Sequence, residues 1–262
     1  MILRGYFFSN TLEMETGISV LIPNRPSGGG PRKVAYLLHG LCGRNGDWLD
    51  YTMLPVYAER FDTTFIMPDA ARSFYSDMAF GQRYFDYVTR ELPAVARSAF
   101  NVSSRRKDTL ILGASMGGYG ALKCALTFPE RYGSCAAFSA PCLFLKEGLE
   151  TQRAFGRTQD YENRWGRQLL NDFESIFGPE LSWRPEDDIL ELARRAGGLE
   201  AKPRLYLACG TEDGMLGDNR RFASEMKDVA LDFTYQEWAG VHDWSFFNSA
   251  LEKSLDFLLG QA

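Results

Sequence analysis

The chain has 262 residues, of which 45% are hydrophobic and 24% charged, with a net charge of −5; this is globular composition, long enough for one large α/β domain. With no basic run, nucleic acid is not an expected partner, since phosphate binding needs a cationic surface. No long apolar segment suggests a membrane span or secretory leader. Five cysteines (42, 124, 135, 142 and 209) without C-x-x-C spacing read as reduced, mostly buried thiols of a cytoplasmic protein, not as a disulfide frame or zinc site.

In chain order, "LRGYFFS" (3–9) and "ISVLIP" (18–23) read as paired strands, followed by a glycine- and proline-rich loop at 24–33. "VAYLLHG" (34–40) is a continuous apolar run, the mark of a strand buried on both faces of a parallel sheet. The same signature recurs at 63–69, 108–115, 134–140, 204–210 and 231–238. Between strands, 82–100 places Phe85, Val88, Leu92, Val95 and Ala99 on one helical face, with Pro93 predicting a kink or break. Alternating strands and helices predict a mostly parallel central sheet flanked by helices. Residues 142–200 hold no strand pattern but two helical ones, which predicts a cap-like helical insert within a single domain spanning 1–262.

The stretch "LILGASMGGYGALKCAL" (110–126) runs from buried strand to helix through Ser115, with glycines at 113 and 117. A hydrolytic serine needs such a strained turn, and the glycines relieve the crowding it creates. Its hydroxyl needs a base. Of the two histidines, His39 precedes the serine, whereas His242 follows the last predicted strand, as the order serine, acid, histidine requires. Asp213, in "CGTEDGML" beyond the strand at 204–210, is the preferred acid; Glu212, Asp218 and Asp243 are weaker candidates, and capping a helix is the alternative role for Asp213. Backbone N–H groups of Met116 and Leu41 are assigned to the oxyanion, with His39 and Gly40 shaping the loop "HGLCGRNGDW". Gly40, Trp48, Tyr75 and Trp244 follow predicted strands and are candidate substrate-pocket residues. Cys42 reads as a small buried thiol, and the acidic "PEDD" (185–188) as a solvated helix start.

The stretches "YLLHGLCGRNGDW", "FIMPDAARSFYSD", "GASMGGYGALKCALTFPERYGSCAAFSA" and "GVHDWSFF" resemble the putative-esterase family of α/β hydrolases, with tributyrin and acetyl esterases nearer than S-formylglutathione hydrolases or feruloyl esterases. The resemblance runs from about Phe8 to Phe247. It implies an α/β-hydrolase fold and a serine carboxylesterase that needs neither metal nor cofactor. The implied substrates are small acetyl to butyryl esters, with acetylated or feruloylated carbohydrate esters further candidates. Thioester hydrolysis, acyl transfer on the same scaffold and a non-catalytic binding module are the alternatives, and a homo-oligomer is compatible with all of them. "HGLCG" departs from the serine that S-formylglutathione hydrolases tend to carry before the loop glycine, and Gly214 stands where relatives often have a bulky residue.

Overall fold

The short apolar runs pair into one eight-stranded sheet, in a computed structural model that describes residues 1–24, 30–156 and 158–260. Its strands are β1 (Ile2–Ser9), β2 (Met14–Leu21), β3 (Lys33–Leu38), β4 (Thr63–Pro68), β5 (Thr109–Ala114), β6 (Ser134–Phe138), β7 (Arg204–Gly210) and β8 (Phe233–Trp238). The order is β1-β2-β4-β3-β5-β6-β7-β8, with β1 and β2 antiparallel and β3 to β8 parallel. The expected α/β-hydrolase class of sheet is therefore present. Of the loop expected at 24–33, residues 25–29 lie outside the described residues.

Helices cover both faces. On one side α1 (Asp47–Tyr51), α2 (Leu54–Phe61) and α11 (Trp244–Leu259) enclose Leu37, Phe65, Leu112 and Tyr206. The other side carries α3 (Tyr84–Asp86), α4 (Leu92–Phe100) and α5 (Met116–Thr127) over Tyr36, Ile66, Ile111 and Leu205. The break expected at Pro93 takes a milder form: a π-helical turn (Tyr87–Glu91) joins α3 to α4 just before Pro93, and the carbonyl of Thr89, four residues before the proline, accepts from the Arg131 guanidinium at 2.9 Å.

Between β6 and β7 the chain is helical, with α6 (Leu145–Phe155), α7 (Gln159–Trp165), α8 (Arg167–Phe177) and α9 (Ile189–Gly197); α10 (Leu216–Glu225) follows β7. The reading of "PEDD" as a solvated helix start is corrected. Asp187 is fully buried, accepting from Lys123 Nζ at 2.6 Å and Arg184 Nε at 2.8 Å, while Lys123 also donates to Ser76 Oγ at 2.8 Å. A buried lysine on α5 thus draws the acid inward, because a charge removed from water needs a close counter-charge. Asp188 caps α9 by accepting from Glu191 N–H at 3.0 Å.

Candidate active site

Ser115 stands between β5 and α5 with φ 54° and ψ −126°, backbone angles that a side chain adopts only under strain. The turn is enforced by contact. A Cβ at Gly113 would meet the Gly117 carbonyl oxygen at 2.2 Å, and one at Gly117 would meet the Leu38 carbonyl oxygen at 2.3 Å. Both glycines therefore let three backbone segments converge under the serine. The Ser115 N–H donates to Phe138 O at 2.8 Å, extending the β5–β6 ladder to the serine itself.

Asp213 lies beyond the end of β7 and His242 beyond the end of β8, so both share the carboxyl edge of the sheet with Ser115. The imidazole Nδ1 donates to Asp213 Oδ2 at 2.8 Å, and Oδ1 accepts from Met215 N–H at 2.8 Å. Burial pushes the Asp213 carboxyl up, but the His242 and Met215 hydrogen bonds outweigh it and hold the group below the ordinary carboxylate range. The pair is graded in exposure: the Asp213 side chain is buried, whereas His242 presents 38% of its side chain to solvent. Among the described residues, no hydrogen bond joins the Ser115 hydroxyl to His242, a contact that commonly tightens only around substrate.

The weaker acid candidates have other partners. Glu212 accepts from Gly240 N–H at 2.6 Å and returns its own N–H to Gly240 O at 3.0 Å, clasping the histidine loop to the acid loop. Asp243 caps α11 through Phe246 N–H at 2.9 Å, and Asp218 lies within α10.

Gly40 lies against the serine, its notional Cβ 3.5 Å from Ser115 Cβ. Met116 opens α5, where an N–H has no intrahelical acceptor, and Leu41 follows Gly40 in a turn closed by Gly43 N–H to Gly40 O at 3.0 Å. His39 is buried, with Nδ1 donating to Gly40 O at 2.7 Å and Nε2 accepting from Ala70 N–H at 3.0 Å. Both ring nitrogens are committed, so His39 shapes the loop.

Two pocket expectations are corrected. Trp48 is fully buried, donates Nε1–H to Leu38 O at 3.0 Å and packs edge-on against Trp244. Tyr75 is also fully buried, its hydroxyl donating to His39 O at 2.9 Å and its ring pressed on Gly120. Neither reaches an open pocket; of the three aromatic candidates only Trp244 keeps exposed surface. Cys42 is exposed, not buried, and accepts from the Arg72 guanidinium at 3.4 Å. Arg72 also pairs with Asp172 of α8 at 2.7 Å, tying the helical insert to the loop beside Leu41. That contact joins residues a hundred positions apart, and nothing in the local sequence signals it.

The family model described as "Putative esterase" matches residues 9–258. This chain belongs to that family. As its members do, this esterase acts as a serine hydrolase. It is 28% identical to an acetyl esterase of Caldicellulosiruptor saccharolyticus over 271 aligned positions, covering 98% of this chain and 97% of the relative. Among solved structures, the esterase is similar to the Staphylococcus aureus fluorophosphonate-binding serine hydrolase FphF, with 25% identity, a TM-score of 0.85 and coverage of 100% and 99% of the two chains. It is also similar to the S-formylglutathione hydrolase FrmB of the same organism, with 25% identity, a TM-score of 0.82 and coverage of 99% and 98%. Among its described residues, no helix of the esterase is long and apolar enough to cross a membrane.

Proposed function

We propose that this esterase hydrolyses small acetyl to butyryl esters through an acyl-enzyme on Ser115, with His242 as base and Asp213 as the acid that orients it. The observation that carries the reading is the hydrogen bond from His242 Nδ1 to Asp213 Oδ2 at 2.8 Å, beside a strained serine on the same sheet edge. With Nδ1–H held by the carboxylate, Nε2 keeps its lone pair for the serine proton. Ser115 Oγ adds to the ester carbonyl as that proton moves to Nε2. The negative oxygen is met by the N–H groups of Met116 and Leu41, each such donor being worth about 10²–10³ in rate. Collapse breaks the carbon–oxygen bond, and His242 returns its proton to the departing alcohol. Water, deprotonated by the same nitrogen, then releases the acid and restores the serine.

The short acyl preference is supported by the acetyl esterase relative, which aligns over nearly its whole length. In this reading residues 142–200 act as a cap beside the strand ends, Gly40 and Trp244 contact substrate, and the protein works in the cytoplasm without cofactor. The test is turnover of p-nitrophenyl acetate, butyrate and octanoate, methyl ferulate and S-formylglutathione by wild type and Ser115→Ala. Acetate and butyrate turnover falling at least ~10³-fold in the variant is expected. Equal activity in both proteins overturns the nucleophile assignment, and a preference for ferulate or the thioester overturns the substrate class.

A further inference from the structure

Strand β1 is an edge of the sheet, and its hydrogen-bonding pattern fixes which groups are free. Met1 and Ile22 exchange both backbone hydrogen bonds, Met1 N to Ile22 O at 2.6 Å and Ile22 N to Met1 O at 2.9 Å. In an antiparallel pair such residues alternate, so Leu3, Gly5 and Phe7 also bond to β2, whereas Ile2, Arg4, Tyr6 and Phe8 turn N–H and C=O outward. The side chains of these same four residues share the face of α1 and α2: Ile2 pairs with Leu21 of that core layer, and Arg4 forms an ion pair with Asp50 of α1. Tyr6 is 79% and Phe8 60% exposed.

Edge strands are commonly blunted by proline, lysine or polar groups. The opposite edge, β8, follows that rule, with Glu237 paired to Arg220 at 2.7 Å and Gln236 bound by the Tyr206 hydroxyl at 2.9 Å. β1 has neither proline nor lysine, and its one charged residue, Arg4, is paired with Asp50 of α1.

We infer that a second copy of this chain seats on the β1 edge, antiparallel and two-fold symmetric about Gly5, joining the two sheets into one. Three observations select that register. The outward groups fall on even-numbered residues, so only registers that pair even with even close hydrogen bonds. Centring on Arg4 would oppose like charges, and centring on Tyr6 would leave the first residues of the strand unpaired; centring on Gly5 uses the whole strand and sets Arg4 opposite Tyr6, a guanidinium against an aromatic ring. It also sets Ile2 opposite Phe8 of the second copy, where a groove of about 600 Å³ adjoins the strand, its walls Met1, Ile2, Leu21, Pro55 and Val56 with Asn24 and Glu59 as the two polar members. The exposed ring of each copy thereby enters the apolar groove of the other. With aromatic side chains covering about 150–250 Å² each, Tyr6, Phe8, Ile2, Leu3 and Met1 supply apolar area on the scale of the roughly 800 Å² per partner that a stable dimer buries.

This inference is independent of the ester chemistry, and solution mass tests it. Light scattering on the wild type is expected to give twice the 29.6 kDa chain mass. Tyr6→Pro, which deletes an outward N–H that an edge strand can lose without unfolding, and Phe8→Lys are each expected to give the single mass, with circular dichroism and ester turnover unchanged. Gly5→Cys in a Cys42→Ser background reads the register: the two-fold places the non-bonded Gly5 pair about 4.5 Å apart at Cα, within disulfide range, so mild oxidation is expected to cross-link the dimer. A single mass for wild type, a double mass surviving in both edge variants, or a dimer that Gly5→Cys fails to cross-link would each overturn the proposal.

Discussion

Asp213 and His242 stand 29 residues apart in sequence and meet at 2.8 Å, the buried carboxylate holding one nitrogen of an imidazole that keeps 38% of its side chain exposed. The acid is held in turn by Met215 N–H, and the histidine loop by the Glu212–Gly240 clasp. Orientation of the proposed base is thus built from short-range contacts at the ends of two adjacent parallel strands.

Asp213→Asn keeps the shape of this arrangement but lets an amide donate where the carboxylate only accepts, which favours the wrong tautomer of His242. A fall in kcat of about 10⁴ with little change in thermal stability at neutral pH is expected. Stability against pH gives a second readout. Because the folded-state carboxyl is depressed, its stabilisation is complete above the unfolded value near ~3.9 and is lost as pH falls through the lower folded value. Urea denaturation from pH 5 downward should therefore show a steeper acid loss in wild type than in the variant.

Gly117→Ala tests the turn beneath Ser115, the proposed nucleophile. The new methyl would meet Leu38 O at 2.3 Å and His39 O at 2.8 Å, backbone atoms that cannot swing aside as a side chain would. A loss of about 1–3 kcal/mol or more is expected by chemical denaturation, together with a loss of turnover larger than the change in folded fraction explains, since Ser115 is displaced with the turn. Gly148→Ala, exposed on α6 with open space at its notional Cβ, is the control, expected to leave turnover unchanged and to raise stability by up to about 1 kcal/mol.

Lys123→Met leaves Asp187 buried with Arg184 as its remaining cation. Removing one partner of a buried pair costs about 3–5 kcal/mol, whereas replacing both by apolar groups is often neutral. The single variant is expected to unfold at lower urea by that order, and Lys123→Met/Asp187→Leu to recover much of the loss. Equal stability of wild type and the single variant would mean that the pair contributes nothing.

His39 predicts the neutral-to-acid slope. Burial holds its pKa below the ordinary value despite the bond to Gly40 O, so it stays neutral in the fold while the unfolded chain takes up a proton near pH ~6.5. Stability is therefore complete above that pH and falls as pH drops below it. Differential scanning calorimetry from pH 7 to 5 should show a declining Tm in wild type. His39→Gln, which cannot take up the proton, should start lower by about 1–3 kcal/mol but decline less.

Much of the candidate site's arrangement was legible in the sequence because its determinants are local. Strand runs, the glycines around Ser115 and the ends of "RLYLACG" and "EWAGVHDW" each encode their own turn, and the order serine, acid, histidine limits the pairing of distant residues. The burial of Trp48 and Tyr75 was not legible: one sits on the short helix α1 and the other in a loop, tertiary packing folds both back over the sheet, and local composition does not report what covers them. The same holds for "PEDD", whose Asp187 looks solvated until Lys123 of α5 is brought against it.

By itself, then, the sequence determined an alternating α/β chain, a strained serine turn and a single downstream histidine, since periodicity and glycine placement act over a few residues. Only the tertiary structure decided that Asp213 and not its neighbours meets His242, that His39 is spent on Gly40 and Ala70, and that β1 stands at the end of the strand order. Those outcomes depend on which strands lie side by side and which of their hydrogen bonds are already used, and that is settled only when the whole sheet closes.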